Sequence, residues 1–160
     1  MLRPSFELER HVFFWMTQVM GSRDRRLGQA LKAFGLRVPE WRVLASLCAR
    51  RRLSMSELAD LASIDRTTLS RTVDRLVQAR RVTRISDAQD MRVTRLALTA
   101  GGEKLFQRML PAVEELNRAA IAELPEGAVE MLRWTLGRMK SSLDAAQARA
   151  RDDGAPARAA

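Results

Sequence analysis

Cysteine and histidine each occur once in the 160 residues. A lone Cys48 cannot close an internal disulfide, which suits a reducing, cytoplasmic setting. It shares helical spacing with Trp41, Leu44 and Ala45, so it reads as a small core residue. His11 and Cys48 lie far apart, and HExxH, CxxC, a glycine-rich phosphate loop and a Ser-His-acid pattern are all missing. No catalytic or metal-binding set can be assembled from what remains, and neither an enzyme nor a cofactor-dependent protein is expected. Long apolar runs are missing too. The apolar stretch from His11 to Met20 is too short to span a bilayer. Glu7 and Glu9 before it, with no small-residue cleavage pattern after it, argue against an export signal, so no membrane partner is expected. Acidic residues are the minority: 19 Asp and Glu face 28 Lys and Arg, giving a net charge of +9 and a pI near 11.3. That balance points to a polyanionic partner, a condition that nucleic acid and an acidic membrane surface both meet.

What is present centres on Ser54 to Leu76. Ser54 followed by Glu57 is a capping box, so a helix starts at Met55 with Leu58, Ala59 and Ala62 on one apolar side. Ile64 closes a turn before Asp65, a second N-cap. Leu69, Val73, Leu76 and Val77 then recur at the spacing of one buried helix face. Arg66, Thr67, Thr68, Ser70, Arg71, Asp74 and Arg75 are left outward. Short hydroxyl donors interleaved with arginines suit an edge that enters a DNA major groove. The same residues also fit an ordinary helical hairpin with a solvated face, and the stretch alone does not separate the two.

The sequel favours the first. Arg81-Val82-Thr83-Arg84-Ile85 and Arg92-Val93-Thr94-Arg95-Leu96-Ala97-Leu98 are short, β-branched runs joined by the polar loop Ser86 to Met91, which predicts a two-stranded ribbon. Such a ribbon is marginal alone and must lean on helices. From Pro39-Glu40-Trp41-Arg42-Val43-Leu44 through Glu57-Leu58-Ala59, Thr68 to Leu76, Asp87-Ala88-Gln89-Asp90-Met91-Arg92 and Leu98-Thr99-Ala100-Gly101-Gly102, the chain resembles the MarR family of winged helix-turn-helix transcription regulators. The resemblance implies a wing whose Asp90 orients Arg92 into the minor groove, where a planar guanidinium suits the narrow, negative channel. One departure is Arg80-Arg81, where the family has Gly and then an apolar residue. Either Arg80 takes a left-handed conformation, at a cost on the order of 1 kcal/mol, or the helix ends differently.

Around this centre the pattern is helical. Val12, Trp15, Val19, Leu27, Ala30, Leu31 and Phe34 make a long first helix with more apolar surface than a small domain usually exposes. A second helix runs from Trp41 to Ala49 and ends at Arg50-Arg51-Arg52, read as a solvated C-terminal turn with favourable dipole interaction. Thr99 caps a helix carrying Leu105, Phe106, Met109, Val113, Leu116, Ala120 and Leu124, interrupted by Pro111. Gly101-Gly102 relieves crowding where the wing enters it. Pro125 and Gly127 mark a break, after which Val129, Leu132, Leu136, Met139 and Leu143 follow the spacing of a coiled seam. The predicted fold is mainly α with a small β-hairpin wing: a winged helix-turn-helix of six helices in an intertwined homodimer. Residues 1–35 and 100–144 would supply the dimer helices, 36–99 the DNA-binding lobe, and 145–160 a tail with nothing to pack, expected to be disordered.

Expected roles follow. Thr67, Thr68, Ser70 and Arg71 read or border bases, Arg75 and Arg84 hold phosphates, and Asp90 with Arg92 serves the minor groove. The family resemblance implies a repressor of a pseudo-palindromic operator, relieved by a small aromatic or phenolic effector. His11, Trp15 and Trp41 are the candidates to stack on and hydrogen-bond a planar ligand. The competing reading places both tryptophans in the core and His11 on the surface. An architectural DNA-binding protein without effector, or a protein–protein interaction module, are the alternative functions.

Overall fold

The structure, a computed structural model, describes residues 7–86 and 94–153. After a 3-10 turn at Leu8–Arg10, the described elements are α1 (Val12–Lys32), α2 (Val38–Ala49), β1 (Leu53–Ser54), α3 (Met55–Ala62), α4 (Arg66–Gln78), β2 (Val82–Ser86), β3 (Thr94–Leu98), α5 (Ala100–Ile121) and α6 (Ala128–Asp153). The chain divides into two compact units, Met1–Asn117 and Arg118–Ala160.

The first unit is built around leucine. Leu27 and Leu31 of α1, Val43, Leu44 and Leu47 of α2, Leu58 of α3, Leu69, Val73 and Leu76 of α4, and Met109 of α5 are all at most 2% exposed. Each such side chain contributes about 1.5–3 kcal/mol when fully buried, so this cluster anchors α4 against α2, α3 and α5. The α2 helix starts three residues before the expected Trp41, because Glu40 returns its carboxylate to the Arg37 backbone N–H at 2.7 Å and Pro39 occupies the first turn, where its missing N–H costs nothing. One expectation fails here: Cys48 is exposed, not core. The buried face of α2 runs through Glu40, Trp41, Val43, Leu44 and Leu47, which leaves position 48 on the solvent side.

The ribbon gains a third strand that no periodicity announced. The sheet order is β1-β3-β2, antiparallel throughout, with Leu53 opposite Leu96 and Val82 opposite Leu98. At two residues β1 is too short to carry an alternation. It nevertheless gives β3 a second neighbour, and so supports a hairpin that would be marginal alone.

The helix ends resolve the question posed by Arg80. Its φ is +54°, its N–H donates to the Val77 carbonyl at 2.9 Å, and the Arg81 N–H donates to Leu76 at 2.8 Å. This is the paired-bond, left-handed C-terminal motif, adopted by an arginine where glycine is the low-strain choice. Immediately beyond, the Thr99 N–H donates to the Arg81 carbonyl at 3.0 Å, and the Thr99 hydroxyl caps α5 by accepting the Gly102 N–H at 3.0 Å. A Cβ added to Gly102 would lie 2.0 Å from the Arg81 oxygen, so only glycine permits this approach. The crowding expected at that glycine pair is therefore real, and it falls on the second of the two. Pro111 does not end α5. The carbonyl it leaves unpaired, that of Gln107, lies on an exposed turn where water can serve it.

In the second unit, α6 leaves Met131, Leu132, Trp134, Leu136 and Leu143 exposed. The helix continues past Ala145 to Asp153, against the expectation of disorder from that point. Alanine, arginine and glutamine all favour helix, so local propensity continues it where packing does not. Residues 154–160 lie outside the described set.

Candidate nucleic-acid interface

Two capped helices set the site. At the start of α3 the Ser54 hydroxyl accepts the Glu57 N–H at 3.3 Å, and the Glu57 carboxylate accepts the Ser54 N–H at 2.7 Å. That backbone hydrogen bond is the main reason the Glu57 carboxyl is held below its ordinary pKa, with the Arg95 guanidinium contributing less. Arg95, on β3, approaches the same carboxylate at 3.2 Å and so ties the wing strand to the first helix of the motif. Ser63 takes φ +51° to end α3, and the Ile64 N–H donates to the Ala59 carbonyl at 3.1 Å, which turns the chain sharply into α4. Asp65 then caps α4, its carboxylate accepting the Thr68 N–H at 2.9 Å. The same hydrogen bond lowers the Asp65 pKa.

On α4 the inward face is Leu69, Thr72, Val73 and Leu76. The Thr72 hydroxyl is turned inward and donates to the Thr68 carbonyl at 2.7 Å, so it is not available to a partner. Arg66, Thr67, Thr68, Ser70, Arg71, Asp74 and Arg75 are all exposed, as the spacing predicted. A convex edge of hydroxyls and guanidiniums on a rigid helix can hydrogen-bond base edges and phosphates.

Two of the expected phosphate ligands also have intramolecular partners. Arg84 of β2 pairs with Asp74 of α4 at 2.6 Å, and Arg75 pairs with Glu40 at 3.4 Å. Both arginine side chains remain about half exposed, at 47% and 49%. A guanidinium has five donors, so each can hold its carboxylate and still present N–H groups outward. These pairs fix where the charges stand relative to the reading helix. Asp90 and Arg92 lie outside the described residues.

The three aromatic candidates have separate surroundings. Trp41 is 7% exposed and stacks on Phe106 with centroids 5.2 Å apart and planes 6° from parallel. Trp15, placed on the apolar stripe of the first helix, is instead 54% exposed, with its indole N–H donating to the Glu9 carbonyl at 2.7 Å. His11 is exposed at the N-terminal end of α1. Trp41 is thus core and His11 on the surface, while Trp15 is not core.

Sequence reasoning missed Glu40. It is 4% exposed, accepts the Arg37 N–H and faces Arg75, linking the start of α2 to the reading helix. Pro39-Glu40 at the second and third helical positions was the available signal. It also missed the pairing of Asp24 on α1 with Arg42 on α2 at 2.7 Å, which no local pattern announces. Among the described residues no cluster of three or more His, Cys, Asp or Glu could hold a metal ion, and no helix is long and apolar enough to cross a membrane.

Comparison with known proteins agrees with this geometry. The MarR family profile matches residues 34–92. The HTH-type transcriptional repressor IacR of Pseudomonas putida is 30% identical over 131 residues, spanning 82% of this chain and 78% of that protein. The HTH-type transcriptional regulator PecS of Dickeya dadantii is 29% identical over 147 residues, spanning 88% and 87%. Among solved structures, a MarR-family regulator from Silicibacter pomeroyi superposes with a TM-score of 0.77 at 27% identity, over 85% of this chain and 92% of that one. CouR from Rhodococcus jostii, solved with p-coumaroyl-CoA, gives 0.76 at 25% identity over 84% and 95%. With the capped reading helix, the three-stranded wing sheet and these relatives in agreement, the chain belongs to the MarR family of winged helix-turn-helix, DNA-binding transcription regulators.

Proposed function

We propose that the chain is a cytoplasmic repressor that binds a pseudo-palindromic operator as an intertwined homodimer and releases it when a small aromatic or phenolic effector binds. The observation that carries the DNA reading is the exposed edge Arg66, Thr67, Thr68, Ser70 and Arg71, on a helix anchored by three leucine and valine side chains at most 1% exposed. Thr67, Thr68, Ser70 and Arg71 contact or border bases, Arg75 and Arg84 contact phosphates, and Arg92, oriented by Asp90, enters the minor groove. A two-fold dimer sets two such helices about 34 Å apart, one turn of duplex.

The dimer reading is supported by apolar side chains that a single chain leaves in water. On α1, Val12, Phe13, Trp15 and Val19 are 53–60% exposed, and on α6 Met131 and Trp134 exceed 60%. Residues 1–35 and 100–144 would cover these faces mutually, with 36–99 as the DNA-binding lobe. The effector reading is supported by CouR, solved with an aromatic acyl ligand. Trp15, with its exposed indole face, is the strongest of the aromatic candidates. Trp41 would contribute little, because it is 7% exposed and Phe106 stacks on one of its faces. An effector can act only by its difference in affinity between the DNA-binding and released states.

Footprinting on the DNA flanking the coding region, with and without a panel of aromatic acids, tests the whole reading. Protection of two half-sites a helical turn apart, lost on adding one of the acids, is the expected result. Arg71→Ala and Arg92→Ala should each weaken binding by roughly 1–3 kcal/mol. A complex indifferent to salt would overturn the DNA reading and favour a protein–protein module.

A further inference from the structure

Beside the reading helix lies an open cleft of about 820 Å³ between α1, the turn into α2, and Arg75 of α4. Its floor includes Gly28 and Val38, and its rim carries Arg25, Lys32, Arg37 and Arg75. Arg25, Lys32 and Arg37 are exposed. Arg25 bonds only a neutral partner, the Ser22 hydroxyl at 3.0 Å, and neither Lys32 nor Arg37 has an ion-pair partner among the described residues. The one acid on the rim, Asp24, is held by Arg42 at 2.7 Å and Arg23 at 3.4 Å, so it does not neutralise the three cations. Glu40, below the rim, is taken up by the Arg37 backbone N–H and by Arg75. Three of the four rim cations, Arg25, Lys32 and Arg37, therefore have no acidic partner among the described residues, while Arg75 is paired with Glu40.

Arg75 belongs both to this rim and to the outward edge of α4, one turn beyond Arg71. The positive tract is thus continuous with the reading edge and extends away from it. Its open shape, without an enclosing wall, suits a linear polyanion better than a small ligand, since small-ligand sites bury most of their occupant.

We propose that this cleft seats the phosphodiester backbone of the duplex outside the bases read by α4, with Lys32 and Arg37 as the principal contacts and Arg25 at the far end. The inference rests on the DNA-binding reading above. It adds a second, sequence-independent contact that lengthens the bound tract without adding specificity.

The test uses the full chain and a duplex that the chain itself selects from a random-sequence pool. Two lengths are compared: about 40 base pairs, and the same duplex trimmed to roughly the two half-sites one helical turn apart. Binding is measured against salt for the parent, for Lys32→Ala/Arg37→Ala and for Lys32→Glu, with thermal unfolding as a check that each variant is folded. Each lost phosphate contact lowers the slope of log K against log salt by about 0.9, so the double variant should lose about 1.8 per protomer on the long duplex. Between 50 and 200 mM salt, the parent should then lose roughly tenfold more affinity per protomer than the double variant. On the trimmed duplex the two should agree within about twofold, since the removed contacts lie outside it. Equal slopes on the long duplex overturn the proposal, and so does an equal loss on both lengths. Stabilisation of the parent by a small anion such as inorganic phosphate, lost in the double variant without any change in slope, assigns the cleft to a small ligand and overturns it as well. If selection returns no preferred sequence, the operator reading fails separately, and the slope comparison on a random duplex still decides the cleft.

Discussion

Replacing Gly102 by alanine should damage the junction that sets the wing against the reading helix. The new Cβ would sit 2.0 Å from the Arg81 carbonyl oxygen and 3.0 Å from its carbon, both backbone atoms that cannot rotate aside. Relief requires a shift of about 1 Å in a carbonyl that accepts the Thr99 N–H at 3.0 Å, beside the Arg80 carbonyl that takes the Thr99 hydroxyl proton at 2.7 Å. The neighbouring Arg81 N–H completes the end of α4. Overpacking costs about 1–3 kcal/mol, and the weakened hydrogen bond about 0.5–1.5 kcal/mol. Against this stands the gain of up to about 1 kcal/mol from replacing a helical glycine. The net loss is roughly 1–4 kcal/mol, a fall in Tm of about 2–16 °C for a chain of this size. Gly101→Ala is the internal control. Its nearest neighbour is the movable end of the Arg81 side chain at 3.1 Å, and the closest backbone oxygen is 3.5 Å away. It should be neutral or up to about 1 kcal/mol stabilising. Urea unfolding followed by circular dichroism gives both values, provided the m-value is unchanged. If Gly102→Ala lies within about 0.5 kcal/mol of the parent, or the two substitutions cost the same, the close approach does not hold this junction.

Other outcomes follow from the same contacts. Arg80→Gly removes a left-handed arginine and should stabilise the chain by up to about 1 kcal/mol; a lower urea midpoint would show that the Arg80 side chain contributes more than its backbone strain costs. Glu40→Ala leaves the Arg37 N–H unmatched and frees Arg75, with an expected loss of about 1–3 kcal/mol in unfolding free energy. Asp65 and Glu57 have folded pKa values below their ordinary ones, each mainly through a backbone N–H hydrogen bond. Their contribution is therefore complete above the ordinary carboxylate range and is lost as pH falls through it towards the depressed folded values. Asp65→Asn should flatten the acid limb of a stability-against-pH curve, and an unchanged limb would remove the cap from that account. Trp41→Ala, which empties the stack on Phe106, should cost about 3–5 kcal/mol, whereas a ligand-contact role alone would leave unfolding unchanged.

The chain's local order determined the motif. Ser54 with Glu57, Asp65 before Arg66, and the recurrence of Leu69, Val73 and Leu76 each act within one or two helical turns, so caps, helix starts and the outward edge of α4 were legible before any packing was known. The left-handed alternative at Arg80 was legible for the same reason, but whether the strain would be accepted was not. That was decided by Gly102 and Thr99, about twenty positions on, which hold the Arg81 carbonyl in place. Tertiary structure also decided the pairing of Leu53 with Leu96, the exposure of Cys48 and Trp15, and the burial of Glu40 beside Arg75. Periodicity finds the apolar face of a helix, but which face another element covers depends on distant residues. A two-residue strand or a single buried carboxylate has no period to read. The positive cleft belongs to this second class, because Lys32, Arg37 and Arg75 become neighbours only when α1, α2 and α4 pack together.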